Sequence, residues 1–285
     1  MLQIPSRSPT PTPTKPMPEG DTLHRTAQTL QRVLAGQRLL RVRSSVPEIA
    51  SAELAGHVID DVSAHGKNLL IRFDDGRVLH SHLKMRGSWH VYRPGERWQR
   101  PEHQARVVLE LSDALAVCFA APTVRLLAPH VAAADAYLNG LGPDLIPDEF
   151  DEEAAVSGLQ ALGDLPLGEA VMKQTALSGI GNIYKSETLF VCRTDPFQPV
   201  SALDRAALTT IVRTARQLLR KNARTESPQR TTTTGALNAN GAYWVYKRSG
   251  RACRVCGTPI RMQRQGALHR STYFCPSCQT RQSSP

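Results

Sequence analysis

Two cysteine pairs, Cys253-x-x-Cys256 and Cys275-x-x-Cys278, stand 18 residues apart and constrain the fold of this chain more than any other feature. Four thiolates at this spacing reach one tetrahedral ion, which obliges the intervening segment to fold back on itself. Thr258-Pro259-Ile260 before it, Thr272-Tyr273-Phe274 after it and Gln265-Gly266 near its middle predict a β-hairpin. A shell of four thiolates leaves no position for water, so the expectation is a single zinc ion with a structural role. A disulfide pair and an iron–sulfur site are the alternatives. No secretion signal accompanies the cysteines, and the surrounding sequence is strongly basic. Cys118 and Cys192 stand alone in apolar stretches and read as core residues.

The basic character is unevenly spread. The net charge of the 285-residue chain is +10, yet residues 213–285 hold fourteen Lys or Arg against one acid, Glu226, a local charge of +13. Such a surplus over some 70 residues exceeds what solubility requires and points to a polyanion, with the phosphate-facing surface drawn largely from the C-terminal third. A solvated cationic face is the bland alternative. An apolar share of 41% suits a globular protein of two domains with real cores, and no stretch is long enough to span a membrane.

Residues 1–16 carry five prolines and no apolar run, and read as a disordered extension or an unused upstream start. From residue 20 to Gly36, Leu23, Ala27, Leu30 and Leu34 recur at helical spacing, with Gly36 as a C-terminal cap. Short β-rich runs follow at 39–42, 69–73, 78–83, 89–92, 107–111 and 115–119, which predict an antiparallel sandwich of about six to eight strands. Residues 126–172 contain no Lys or Arg, and Pro143 and Pro147 mark a linker, so a domain boundary falls near residue 140. Helical patterns then cover about 148–162, 167–177, 183–192 and 201–223, the last opening on Ser201-x-x-Asp204, and residues 225–234 read as a loop.

Met17-Pro18-Glu19-Gly20-Asp21 carries the candidate chemistry. Methionine before proline is readily trimmed, and a free pyrrolidine amine titrates near pH 7.7–8.0, so a useful fraction is an unprotonated nucleophile. It attacks an aldehyde carbon to give an iminium ion, and the carboxylate of Glu19 lies one residue away to move protons. The expectation is that the active form begins at Met17 and then loses it, because a peptide bond to Met17 leaves Pro18 with no lone pair to donate. Taken alone, the five residues also suit an ordinary helix start.

With this N-terminal motif, a β-rich first half, a helical second half and a basic four-cysteine hairpin in that order, the chain resembles the formamidopyrimidine-DNA glycosylase and endonuclease VIII family. The similarity runs from Met17 to about Gln279, through MPEGD at 17–21, HGKNLL at 65–70, SGIGNIYKSETLF at 178–190, VYKRSGRACRVCGTPI and HRSTYFCPSCQ. It is closest to the actinobacterial type of endonuclease VIII. The resemblance implies an α+β fold: an N-terminal antiparallel β-sandwich with a leading helix (17–140), a helix-two-turn-helix DNA-binding domain (148–224) and a zinc β-hairpin finger (245–280). It makes Pro18 the Schiff-base nucleophile, Glu19 the proton-transfer residue and Lys67 the active-site lysine, a residue that by itself reads as a solvated turn. Asn182 matches an asparagine that holds DNA phosphate, although Gly-x-Gly alone is usually a tight turn. Arg270 matches a finger arginine beside the damaged nucleotide. Met85 matches a void-filling residue, with a sandwich-core methionine as the alternative.

The implied function is a bifunctional DNA glycosylase and abasic-site lyase of base excision repair, acting as a monomer on damaged double-stranded DNA. Two departures bear on the substrate. Thr22 stands where many relatives carry glutamate. The Arg-Arg-Phe-Gly segment of the purine-repair branch is missing, and Ala120-Ala121-Pro122-Thr123-Val124-Arg125 stands in its place, which favours oxidised pyrimidines. A non-catalytic, zinc-stapled DNA-binding protein and an abasic-site lyase with little base excision are the alternative readings.

Overall fold

Alternating apolar residues along the first half place two four-stranded antiparallel sheets face to face. The computed structural model describes residues 17–224, 231–236 and 241–281, and the predicted extension over 1–16 lies outside them. The chain opens with α1 (Gly20–Leu34), followed by β1 (Arg41–Ser44), the single turn α2 (Pro47–Ala50), β2 (Ile59–His65), β3 (Asn68–Phe73), β4 (Val78–His82) and β5 (Ser88–Tyr92). Strands β6 (Ala105–Glu110), β7 (Leu115–Phe119) and β8 (Thr123–Leu127) complete the layers. One sheet has the order β2-β3-β4-β8 and the other β1-β6-β7-β5, with every pairing antiparallel. Strands β2 and β8 were not anticipated from the residues. Both lie at sheet edges and mix polar with apolar positions, which weakens a period-two pattern.

Leu23, Ala27, Leu30 and Leu34 of α1 enter the same core as Ile71, Phe73, Leu109 and Cys118 of the two sheets. Fully burying one such leucine is worth roughly 1.5–3 kcal/mol, against about 0–1 kcal/mol for an exposed ion pair, so the apolar stripe docks the helix. Gly36 adopts φ +74° immediately after the helix and donates its N–H to Ile59 O at 2.8 Å, ending α1 as expected.

Two short helices, α3 (Pro129–Ala134) and α4 (Ala136–Asn139), lead into the second half. There α5 (Glu152–Gln160), α6 (Leu167–Ala170), α7 (Asn182–Val191) and α8 (Arg205–Ala223) enclose a separate core that includes Leu159, Leu177, Tyr184, Leu189, Ile211 and Leu219. The segment expected to be helical over 167–177 is helical only to Ala170. Beyond it the side chain of Gln174 accepts from Gly179 N at 3.1 Å and donates to Ile180 O at 3.1 Å, bracing a non-helical loop at 178–181. The last helix starts at Arg205 rather than residue 201, because Asp204 itself caps it by accepting from Ala207 N at 2.7 Å.

Strands β9 (Arg261–Gln265) and β10 (Arg270–Phe274) form the predicted hairpin. Its small core of Val245, Cys253, Ile260 and Cys275 includes Phe190 from α7, whose ring stacks on Trp244 at 5.8 Å. Among the described residues no helix is long and apolar enough to cross a membrane.

The acidic linker changes the reading of charge. Arg213 pairs with Glu152 at 2.7 Å, Arg224 with Asp148 at 3.0 Å, and Arg220 also with Asp148. Arg216 lies 4.6 Å over the Phe150 ring and donates to Leu145 O. These four cations, three in α8 and Arg224 at its C-cap, face the chain's own acids and carbonyls, so the surplus of the C-terminal third is less available to a polyanion than its sum implied.

Candidate active site at the joint between the two halves

The loop 178–181 meets α1 and the β2–β3 turn, and the candidate catalytic residues converge there. Glu19 immediately precedes α1, but its side chain turns away from that helix and is only 2% exposed. Its carboxylate accepts from Gly181 N at 2.9 Å, Ile183 N at 2.8 Å and Tyr184 N at 3.2 Å. These amides are the otherwise unpaired donors at the start of α7, where the helix dipole also favours an anion. The amides of this helix start, which would suit an outside phosphate, are therefore occupied by the chain's own carboxylate.

Glycines make this seat possible. Gly181 has φ −123°, a conformation open to any residue, yet a Cβ there would lie 2.4 Å from Glu19 Cδ. Gly20 donates to Gly179 O at 2.9 Å, and a Cβ on Gly20 would come within 2.9 Å of Gly179 Cα. The Gly-x-Gly thus serves the approach of α1 to the second half.

Lys67 occupies the turn between β2 and β3 and is 9% exposed. Its Nζ donates to Ile180 O, the carbonyl next to the Glu19 seat. Asp144 fixes the turn from the linker, accepting from Gly66 N at 2.6 Å, Ile146 N at 3.0 Å and His24 Nε2 at 2.8 Å. Burial raises the Glu19 carboxyl to about 7 against the opposing pull of Lys67 and the amide bonds. Burial likewise lowers the Lys67 amine to about 8, with Arg270 acting in the same direction and Glu19 opposing. Both groups therefore exchange protons near neutrality, which suits acid–base work. Pro18 is half-buried and directly precedes Glu19.

Met85 lies in the β4–β5 connection and is 60% exposed, outside the sandwich core. Lys84 before it has φ +45°, and Gly87 after it packs against Leu83 and Ala121. The β7–β8 connection, Ala120-Ala121-Pro122, meets the β4–β5 connection at Gly87 and carries only short side chains. Asn182 is the first residue of α7, and its Oδ1 is buried without a hydrogen-bond partner. Arg270 is the first residue of β10, facing Gln265 in register, and its charge acts on both Lys67 and Lys185.

The four cysteine Sγ atoms lie within 4.8 Å of one another, with Cys253–Cys278 at 3.9 Å and Cys256–Cys275 at 3.4 Å. A disulfide needs about 2.05 Å. A tetrahedral Zn–S shell of about 2.3 Å bonds requires S···S near 3.8 Å, so the four thiols fit zinc.

Several residues of the site escaped sequence reasoning. Glu187 is fully buried on α7 and accepts from Trp244 N at 2.8 Å, Val245 N at 2.9 Å and Tyr246 N at 2.8 Å, the segment leading into the finger. Lys185 and Asp144 are likewise buried. A charged residue inside an apolar helical run, as in residues 183–190, was the available clue. His82 faces Asn68 across β3–β4, and burial with the nearby Lys67 charge holds its imidazole down at about 4. Its Nδ1 accepts from Lys84 N at 3.1 Å, so the neutral ring carries its proton on Nε2.

Comparison with known proteins agrees with this geometry. The formamidopyrimidine-DNA glycosylase N-terminal domain matches residues 17–124, the corresponding H2TH domain residues 141–234, and the zinc finger found in FPG and IleRS residues 250–281. The chain is 42% identical over 269 residues to the probable endonuclease 8 2 of Streptomyces coelicolor, covering 92% of this chain and 94% of that one. It is 38% identical over 265 residues to the DNA-(apurinic or apyrimidinic site) lyase Nei2 of Mycolicibacterium smegmatis, covering 93% of this chain and 99% of that one. Among solved structures, the complex between the Lactococcus lactis Fpg and an abasic site containing DNA superposes with a TM-score of 0.78 at 22% identity, over 92% of this chain and 100% of that one. The three domain matches in sequence order and the two full-length relatives establish that the chain belongs to the formamidopyrimidine-DNA glycosylase and endonuclease 8 family.

Proposed function

We propose that the protein is a bifunctional DNA glycosylase and abasic-site lyase of base excision repair, with Pro18 as nucleophile. The observation that carries this reading is the buried Glu19 carboxyl beside Pro18, seated on α7 with Lys67 on the adjoining carbonyl. After removal of the preceding residues, the secondary amine of Pro18 attacks C1′ of the damaged nucleotide as the C1′–N bond to the base breaks. The Pro18 nitrogen gives up its proton, and Glu19, poised near neutrality, protonates O4′ as the C1′–O4′ bond opens, which leaves the ring-opened iminium. The iminium acidifies the C2′ hydrogens, and loss of one of them as a proton forms the C2′=C3′ bond and expels the 3′ phosphate. A second elimination expels the 5′ phosphate and leaves a one-nucleotide gap.

Lys67, Asn182 and Arg270 engage phosphates flanking the lesion, and His82, whose neutral ring feels the Lys67 charge and carries its proton on Nε2, is a further donor. Met85, exposed at its loop, fills the space left by the extruded base, whose unstacking costs a few kcal/mol. The Cys253, Cys256, Cys275 and Cys278 thiolates hold one zinc ion, which completes the finger and does no chemistry. Because the β7–β8 connection carries only short side chains, oxidised pyrimidines are the proposed preference.

A second reading has a specific motive: one relative is named an abasic-site lyase. Duplexes carrying 5-hydroxyuracil, thymine glycol, 8-oxoguanine or a preformed abasic site separate the two. Cleavage of the first two substrates supports the glycosylase; cleavage of the abasic duplex alone leaves a lyase, and cleavage of none overturns both.

A further inference from the structure

Helix α7 holds Glu19 at its first turn and the finger along its next two turns. Between them stands Lys185, which is 0% exposed. Its Nζ donates to Ser271 O at 3.1 Å and to Thr272 Oγ1 at 2.8 Å, the two residues that follow Arg270 on β10. Thr272 Oγ1 donates in turn to Gln265 Oε1 at 2.8 Å, and Gln265 Nε2 donates to Pro196 O at 2.9 Å. Tyr273 N donates to Ser186 Oγ at 3.3 Å. A Cβ on Gly168 would lie 2.4 Å from Gln265 Oε1, so α6 closes on the same contact. The hairpin is thus clamped to α7 at the root of Arg270, while the Arg270 side chain donates no hydrogen bond among the described residues and is held only through its strand.

We infer that Lys185 is a positioning residue, which sets the placement of Arg270 relative to Glu19 by gripping β10 from the helix that seats the carboxylate. This rests on the reading of Arg270 as a phosphate contact. A lysine buried here is costly unless its donors are used, and both named acceptors belong to the strand that carries Arg270. Lys185 itself has no access to DNA, so any effect on phosphate binding has to travel through that strand. Replacing it with an apolar residue of similar length removes the grip and keeps the packing.

The test is a double-mutant cycle of Lys185→Met and Arg270→Ala in the zinc-loaded protein. The readout is affinity for a duplex with a tetrahydrofuran abasic analogue over a range of salt. Loss of one phosphate contact lowers the slope of log affinity against log salt by about one. The expected result is a lowered slope for Lys185→Met despite its burial, no further loss when it is added to Arg270→Ala, and recovery in Lys185→Arg. A wild-type slope, or losses that add, overturns the inference. If Lys185→Met loses zinc, Thr272→Val, which removes one acceptor, is judged by the same two criteria. An unchanged slope for Arg270→Ala alone defeats the reading of Arg270 and leaves the two failures distinguishable.

Discussion

Gly181→Ala isolates the seat of Glu19. The backbone of Gly181 lies at φ −123°, so alanine meets no conformational barrier, and the only obstacle is space. The new Cβ would lie 2.4 Å from Glu19 Cδ, 2.6 Å from Oε1 and 2.7 Å from Cγ, all closer than side-chain carbons approach one another. Glu19 is buried and cannot slide along the helix start, so it loses hydrogen bonds to Gly181, Ile183 and Tyr184. Overpacking costs about 1–3 kcal/mol, and each charge-assisted hydrogen bond lost is worth about 1.5–3 kcal/mol. Loss of a single bond in addition to mild overpacking gives about 3 kcal/mol. At roughly 2–4 °C per kcal/mol this lowers the melting temperature by about 6–12 °C. On the proposed proton-transfer role of Glu19, its displacement by about 1 Å costs on the order of 100-fold in rate. Thermal unfolding and single-turnover cleavage measure both. The decisive arm is Glu19→Ala: with the carboxyl gone, the added methyl enters vacated space, so Gly181→Ala costs little further stability in that background. Equal cost in both backgrounds, or no cost in the wild type, would refute the reasoning.

Two further outcomes follow from the same contacts. Because burial raises Glu19 from 4.5 to about 7, the folded state binds its proton more tightly than the unfolded state; this contribution is full below about 4.5 and is lost as pH rises to 7. The stability of Glu19→Gln relative to the wild type therefore increases across that window in urea titrations, and a flat difference contradicts the burial argument. Cys256→Ser lowers zinc content and weakens DNA binding together, measured by metal release and by affinity; a zinc-free variant with full affinity contradicts the structural role of the ion.

The apolar spacing of α1 and the two Cys-x-x-Cys pairs were legible because each obeys one local rule, a helical period or a ligand geometry. Strands β2 and β8 were not, since edge strands keep polar residues that blur the alternation. The Gly-x-Gly illustrates a deeper limit. The sequence locates a close approach at Gly179 and Gly181 but not its partners, and these are Gly20 for the first and Glu19, 162 positions away, for the second. The paired arginines of α8 and its C-cap show the same limit for charge, because a sum over residues 213–285 ignores acids at 148 and 152 folded against it. Lys185 and Glu187 became interpretable only once the finger was seen docked on α7.

Borohydride trapping on abasic-site DNA, followed by mass mapping of the adduct, tests the nucleophile most directly. The account predicts a covalent adduct on the Pro18 nitrogen from protein whose chain starts at that residue, and none from protein that retains residues 1–17. An adduct mapped to a lysine, or equal trapping by both proteins, contradicts it.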